Sequence, residues 1–143
     1  MATVLDVASY ILAKTGEMSA MKLQKLAYYS QAWSLVWDEE PLFNNRFEAW
    51  ANGPVSPMLY EAHRGNFLVD AEMINGDPEA LTESQRDTID GVLKFYGDKS
   101  AQWLSDLTHE EDPWKDARGD LPPMARSNEV ITTAAMHEYY SAL

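Results

Sequence analysis

The sequence contains no cysteine among its 143 residues. This absence excludes a disulfide framework, a thiolate nucleophile and a cysteine-ligated zinc or iron–sulfur site. No apolar run approaches the roughly 20 residues that a membrane-spanning helix needs, and the N-terminus lacks the basic start of a signal peptide. We therefore expect a cytoplasmic protein. A hydrophobic content of 45% in a chain of this length predicts a single folded domain over residues 1–143.

Basic residues are scarce, since 11 Lys and Arg stand against 23 Asp and Glu and the net charge is −12. Residues 70–120 hold 14 of the acidic and 5 of the basic residues, and thus −9 of that charge. Proteins that bind nucleic acid contact its phosphates with clustered Lys and Arg, so we do not expect direct nucleic-acid binding. An acidic surface favours a basic protein partner, although solubility alone is the alternative explanation.

The motifs of common enzyme classes are also missing, because no GxGxxG, P-loop or GxSxG pattern occurs. The stretch LTHEEDPW, Leu107–Trp114, is the one candidate for catalysis or metal binding, with His109 and Asp112 at the i, i+3 spacing of a helix. Position 113 is proline where the zincin motif HExxH needs histidine, and a third ligand would have to come from elsewhere. A metal-dependent hydrolase using His109 with Glu110, Glu111 or Asp112 is therefore the less favoured hypothesis, and we expect no enzyme, metal or cofactor.

Helical periodicity dominates the rest of the sequence. Residues 20–37 are apolar nearly all round, which is typical of the central helix of a bundle. We predict a mainly α, single-domain bundle of five or six helices around this helix, with at most a small β-hairpin near residues 41–51. A turn is expected at Asn52-Gly53-Pro54.

Five tryptophans are many for a chain of this length. Trp33 and Trp103 fall on inward faces of predicted helices, so we expect both in the core. Trp37, Trp50 and Trp114 fall at a helix end, in a strand and in a loop. Because indole is enriched at protein-binding hot spots, these three are candidates for partner contact, and packing at the ends of the bundle is the alternative.

Three stretches together carry a family resemblance: MKLQKLAYYSQAWSLVW at Met21–Trp37, EPLFNNRFEAWANGPVSPMLYEAHRG at Glu40–Gly65, and LTHEEDPW at Leu107–Trp114. In this order and spacing they resemble the Panacea domain, the SocA-like antitoxin domain of a phage-associated family. The resemblance covers about residues 18–143, and the family's Thr-His-x-Glu-x-Pro-Trp motif places its glutamate at Glu111. Three motifs in order are more specific than any one of them alone.

The resemblance implies a mostly helical fold and an antitoxin of a type II-like toxin–antitoxin system, which neutralises a cognate toxin by direct protein binding. Two alternatives stay open: a proteolytic adaptor that delivers the toxin to an AAA+ protease, and a phage or prophage accessory protein that binds a host factor. Some relatives carry an additional N-terminal segment for DNA binding. Because this chain begins almost at the domain, we do not expect operator binding.

The residue assignments follow from these patterns. We expect the acids of residues 110–112 to lie at the surface and to meet the toxin, and His109 to hold the turn together. The expected toxin contacts are Trp37, Trp50, Glu110, Glu111, Asp112 and Trp114. The expected structural residues are Leu26, Trp33, Gly53, Pro54, Trp103 and His109.

Overall fold

The computed structural model describes residues 1–143 as seven α-helices, two short 3₁₀ turns and five short strands. The helices are α1 (Val4–Thr15), α2 (Ala20–Trp37), α3 (Pro57–His63), α4 (Glu83–Tyr96), α5 (Ala101–Glu110), α6 (Asp112–Arg118) and α7 (Thr133–Ser141). The strands are β1 (Met18–Ser19), β2 (Phe47–Trp50), β3 (Gly53–Val55), β4 (Leu68–Val69) and β5 (Val130–Ile131). None of the helices combines the length and hydropathy required to cross a lipid bilayer.

Side-chain caps explain where the helices begin. The Ser19 hydroxyl accepts a hydrogen bond from the third backbone N–H of α2, and Ser56 caps α3 ahead of a proline at its first helical position. Thr82 and Gln85 form a reciprocal capping box at the start of α4. These polar side chains satisfy backbone donors that have no partner inside the helix.

The helix α2 lies at the centre of the protein and packs against α1, α4, α5 and α7. Side chains around most of the circumference of α2 are buried, among them Leu26, Tyr28 and Tyr29. The mainly α class is therefore confirmed. The structure has seven helices rather than five or six, because the short segment after Glu111 forms a separate helix, α6.

Two small antiparallel sheets lie beside the helices. Strand β1 pairs with β4, and β2 lies between β3 and β5. In the β2–β3 hairpin, Glu48 is opposite Val55 and Trp50 is opposite Gly53. The predicted hairpin near residues 41–51 is therefore displaced to residues 47–55. Its turn is Ala51-Asn52, one residue before the turn predicted at Asn52-Gly53-Pro54, and Gly53 and Pro54 belong to β3.

The Pro41-Leu42-Phe43 segment, considered as a strand partner, is not a strand. The Gln31 side chain of α2 fixes it instead: its Oε1 accepts from Leu42 N at 2.7 Å and its Nε2 donates to the Phe43 carbonyl at 2.9 Å. Leu42 and Phe43 are both fully buried. A side-chain amide thus replaces the ladder partner that a strand would need.

The two tryptophans predicted for the core differ in position. Trp33 is half-buried, packs against the core, and its Nε1 donates to the Tyr96 hydroxyl at 3.0 Å. Trp103 is 42% exposed, so the prediction of an inward Trp103 is wrong. The helix α5 turns Leu104 inward instead, and the Lys99 ammonium lies 5.2 Å from the centre of the Trp103 ring.

We expect Trp33→Ala to reduce the free energy of unfolding by about 2 kcal/mol, since a half-buried aromatic loses less than a fully buried one. Urea unfolding followed by circular dichroism measures the loss. The control is Trp103→Ala, which removes the same ring from an exposed position and is expected to cost less than about 1 kcal/mol. Equal losses in the two variants would contradict this placement of the rings.

Candidate functional site

The LTHEEDPW segment forms the corner between α5 and α6. The helix α5 ends at Glu110, and Glu111 adopts an extended backbone with φ −98° and ψ 140°. Pro113 then occupies the first turn of α6, where its missing N–H leaves no helical hydrogen bond unmade. The extended residue and the proline together end one helix and start the next.

Glu111 lies inside the protein, with 5% of its surface exposed. The hydroxyls of Tyr29 on α2 and Tyr140 on α7 both donate to its Oε1 at 2.7 Å. Burial raises the pKa of the Glu111 carboxyl, and the two tyrosine hydrogen bonds act against that rise. The expectation that all three acids lie at the surface is therefore wrong for Glu111, whereas Glu110 and Asp112 are exposed.

His109 and Trp114 stack on each other at the same corner, with ring centroids 4.2 Å apart. Trp114 is 7% exposed and its Nε1 donates to the Trp50 carbonyl at 2.8 Å. The expectation that Trp114 offers a surface for a partner is thus wrong, because its ring closes the corner against β2. The Nε2 of His109 is buried and makes no hydrogen bond, and burial lowers the pKa of this histidine.

No group of three or more His, Asp or Glu side chains is arranged to hold a metal ion. His109 stacks on a tryptophan, Glu111 binds two tyrosines, and Asp112 is exposed. Glu110 is exposed as well, so His109 shares no common site with any of the three acids that the hydrolase hypothesis would combine with it.

Arg118, at the end of α6, holds the loop that follows the corner. It is 5% exposed, and its Nη1 donates to the Ala49 carbonyl of β2 at 3.0 Å. Its Nη2 reaches the carbonyls of Pro122, Pro123 and Ala125 at 2.9, 3.2 and 2.7 Å. The guanidinium carbon also lies 4.9 Å from the centre of the Trp114 ring. Sequence reasoning missed this role, because the carbonyls involved carry no side-chain signal.

A cavity of about 760 Å³ opens beside the β2–β3 hairpin. Side chains from α2, the hairpin, α3 and the loop before β5 form its walls, so it brings together four separate parts of the chain. Its lining residues are Ala20, Met21, Gln24, Lys25, Glu48, Trp50, Ala51, Asn52, Val55, Tyr60, His63, Arg126, Ser127 and Asn128.

Lys25 is the buried cation of this cavity. It is 1% exposed, and burial lowers the pKa of its ammonium from 10.5 to about 7 with no carboxylate acting on it. Gly53 allows the ammonium to lie against the hairpin turn: its φ is +117°, and a Cβ there would lie 2.5 Å from Lys25 Cε and 3.2 Å from Lys25 Nζ. Both the backbone angle and this approach require glycine at position 53.

A hydrogen-bonded group joins α2 to α3 at the wall of the cavity. Gln24 accepts from Ser56 N at 2.8 Å and donates to the Ser56 carbonyl at 3.2 Å. The Gln24 Nε2 also lies 3.0 Å from His63 Nε2. Since an amide nitrogen can only donate, His63 Nε2 is the acceptor and the ring is neutral, and burial lowers the pKa of His63 accordingly.

The sequence contained one indication that Gln24 and Lys25 are buried, and the prediction did not use it. Lys25 and Gln24 lie between Leu23 and Leu26, inside a helix that is apolar nearly all round. A charge in such a position is buried unless its side chain reaches solvent. The distance between Lys25 and His63 in the sequence concealed their common position at the cavity.

The remaining expected partner contacts lie at two places. Trp50 is half-buried and lines the cavity. Trp37 is 53% exposed at the end of α2, and its ring stacks on Trp33 at a centroid distance of 5.3 Å. Among the expected structural residues, Leu26 is fully buried and Gly53 and Pro54 are buried in β3.

Comparison with known proteins identifies relatives. The family described as Antitoxin SocA-like, Panacea domain matches residues 23–115. The chain is 39% identical over 124 residues to a protein named Antitoxin SocA from Caulobacter vibrioides (strain NA1000 / CB15N). That similarity covers 76% of this chain and 66% of the relative, so the chain spans just under two thirds of the length of that protein. No solved structure is significantly similar to it.

Proposed function

We propose that this chain, which belongs to the Antitoxin SocA-like, Panacea domain family, neutralises a cognate toxin by binding the toxin protein directly. The family match carries this proposal, since it supports an antitoxin role and includes most of the central helix α2 and the corner at residues 107–114. The net charge of −12 supports a partner with a basic surface.

The contact surface that we propose includes the exposed acids of the α5–α6 corner and two tryptophans. Glu110 and Asp112 flank the buried Glu111, so the corner presents two carboxylates from a fixed backbone. Trp37 and Trp50 offer accessible indole surface. In this proposal Glu111 and Trp114 act indirectly, because they hold the corner in its shape.

Co-expression with the product of the adjacent open reading frame tests the function. We expect the neighbour to stop growth when expressed alone, and growth to return when this chain is present and forms an isolable complex with it. A harmless neighbour, or rescue without a complex, would contradict direct neutralisation. The lifetime of the toxin separates masking from proteolytic delivery: masking leaves it unchanged, whereas an adaptor shortens it only when an AAA+ protease is active.

Charge reversal at the corner tests the contact surface. We expect Glu110→Lys with Asp112→Lys to weaken toxin binding at least about tenfold, since repulsive charges replace two attractive ones. Calorimetric titration measures the affinity, and an unchanged melting temperature shows that the fold persists.

The matched control for this variant is Glu17→Lys with Glu72→Lys. It changes the net charge equally at two exposed acids elsewhere on the protein. We expect it to weaken binding less than about threefold, through the overall field alone. Equal weakening by both double variants would remove the corner from the contact surface.

A further inference from the structure

Lys25 lines the cavity, and no group of the protein pairs with its ammonium. Lys25 is 1% exposed, and burial lowers the pKa of its ammonium. No side chain or backbone carbonyl forms a hydrogen bond or an ion pair with its ammonium, in contrast to Lys22 one turn earlier, which donates to the Gly97 carbonyl at 2.7 Å. The ammonium lines the cavity without a partner from the protein, and burial disfavours its charged form. An anion in the cavity would favour the protonated form.

None of the other charged groups around the cavity pairs with the Lys25 ammonium. Glu48 is the one carboxylate in the lining, and its own neighbours occupy it: Trp50 Nε1 donates to Oε1 at 2.9 Å and Arg46 Nε to Oε2 at 2.8 Å. Arg126 lies exposed at the cavity's edge and forms no ion pair. The lining therefore offers no free carboxylate to pair with a protonated Lys25.

The upper walls of the cavity are apolar and aromatic. The rings of Trp50 and Tyr60 meet edge to face with centroids 5.0 Å apart, and Met21 and Val55 complete the apolar lining. A volume of about 760 Å³ is in the range of sites that hold small organic molecules. Such walls bind a carbon skeleton, which a simple inorganic anion does not have.

We propose that this cavity binds an organic carboxylate, with the carboxylate paired to Lys25 and its apolar or aromatic body packed against Trp50 and Tyr60. The group can come from a free small molecule or from the C-terminal carboxylate of a polypeptide, and the chemistry of recognition is the same. The proposal shares Trp50 with the proposed toxin surface, but it does not require toxin neutralisation or the α5–α6 corner, because it concerns the ligand of the cavity.

Protonation of Lys25 makes this binding pH-dependent. Besides Lys25, the titratable or charged groups around the site are Glu48, His63 and Arg126 in the lining and His109 behind the hairpin. Burial lowers the pKa of both histidines, which leaves them neutral at pH 7 and above. Above pH 7 the lysine must therefore take up a proton on binding, and affinity falls by up to about tenfold per pH unit.

Calorimetric titration of the full chain with defined probes tests the proposal. The probes are benzoate, its neutral analogue benzamide, inorganic phosphate, and the peptide Gly-Gly-Phe with a free or an amidated C-terminus. The variants are Lys25→Met, which keeps the length of the side chain without its charge, and Lys94→Met as a control at an exposed lysine. Because Lys25→Met removes a buried charge, we expect it to fold, with a melting temperature no lower than that of the wild type.

We expect benzoate or the free-acid peptide to bind with a Kd below about 5 mM at pH 6.5 and at least about tenfold more weakly at pH 8.5 or in Lys25→Met. Lys94→Met should bind as the wild type does. Benzoate binding identifies a free small molecule as the source, and binding of the free-acid peptide alone identifies a polypeptide terminus. The proposal is overturned if neither probe binds, if benzamide or phosphate binds equally well, or if Lys25→Met keeps full affinity.

Discussion

Glu111→Ala is expected to lower the free energy of unfolding by about 3 kcal/mol, because it leaves the buried Tyr29 hydroxyl without an acceptor and Tyr140 with only the Tyr28 hydroxyl, 3.3 Å away. The hydroxyls of Tyr29 and Tyr140 both donate to the same carboxylate oxygen at 2.7 Å. Neither can turn to water, since both rings lie in the core. Urea unfolding of the purified variant measures the loss directly.

Two further variants test whether the loss of stability comes from the lost hydrogen bonds, from the lost charge, or from removing any acid at this corner. Glu111→Gln keeps an oxygen at the end of the side chain, so we expect it to retain most of the stability that Glu111→Ala loses. Glu110→Ala removes the neighbouring, exposed carboxylate and should change stability by no more than about 0.5 kcal/mol. If Glu111→Ala is as stable as Glu110→Ala, the buried hydrogen bonds do not stabilise the corner.

Arg118→Ala is expected to destabilise the protein by about 4 kcal/mol, since one guanidinium satisfies carbonyls from β2 and from the loop at residues 122–125. Its planar shape lets it donate in several directions while it stacks on Trp114. Thermal unfolding measures the effect. Hydrogen exchange of residues 120–129 is expected to accelerate in any fraction that remains folded.

Arg118→Lys is the informative control for this prediction. It keeps the charge but cannot span Ala49 on one side and the loop on the other. We expect it to lose more than half of the stability that Arg118→Ala loses. Full stability in Arg118→Lys would mean that the charge alone matters and that the several hydrogen bonds of the guanidinium contribute little.

The sequence was sufficient to predict the helices, because their apolar period and their caps are local properties. Ser19, Ser56 and Thr82 are residue types that favour the N-cap position, and each of them caps a helix. It was insufficient for the strand partners, since β2 pairs with β5 more than 80 residues later, at Glu48 and Val130. That pairing depends on how α6 and the segment at residues 119–129 return the chain to β2, which no local pattern encodes.

The candidate site shows the same division. The corner at residues 107–114 was recognised from its composition, but its chemistry was assigned by hydropathy, which places carboxylates at the surface. Glu111 departs from this rule because tyrosines from α2 and α7 supply its hydrogen bonds. The cavity around Lys25 was not predicted, because its walls come from four segments that meet only in the folded chain.

Because Glu111 binds Tyr140, the core around Glu111 can be completed only after Tyr140 has been synthesised. Tyr28, Tyr29 and Glu111 leave the ribosome well before Tyr140, so the buried carboxylate lacks one of its two donors until α7 has emerged. A nascent chain that stops before Tyr140 therefore holds an incompletely satisfied polar group in its core. Helix α7 is therefore needed to complete the core, and a copy truncated before Tyr140 is expected to stay open to proteases.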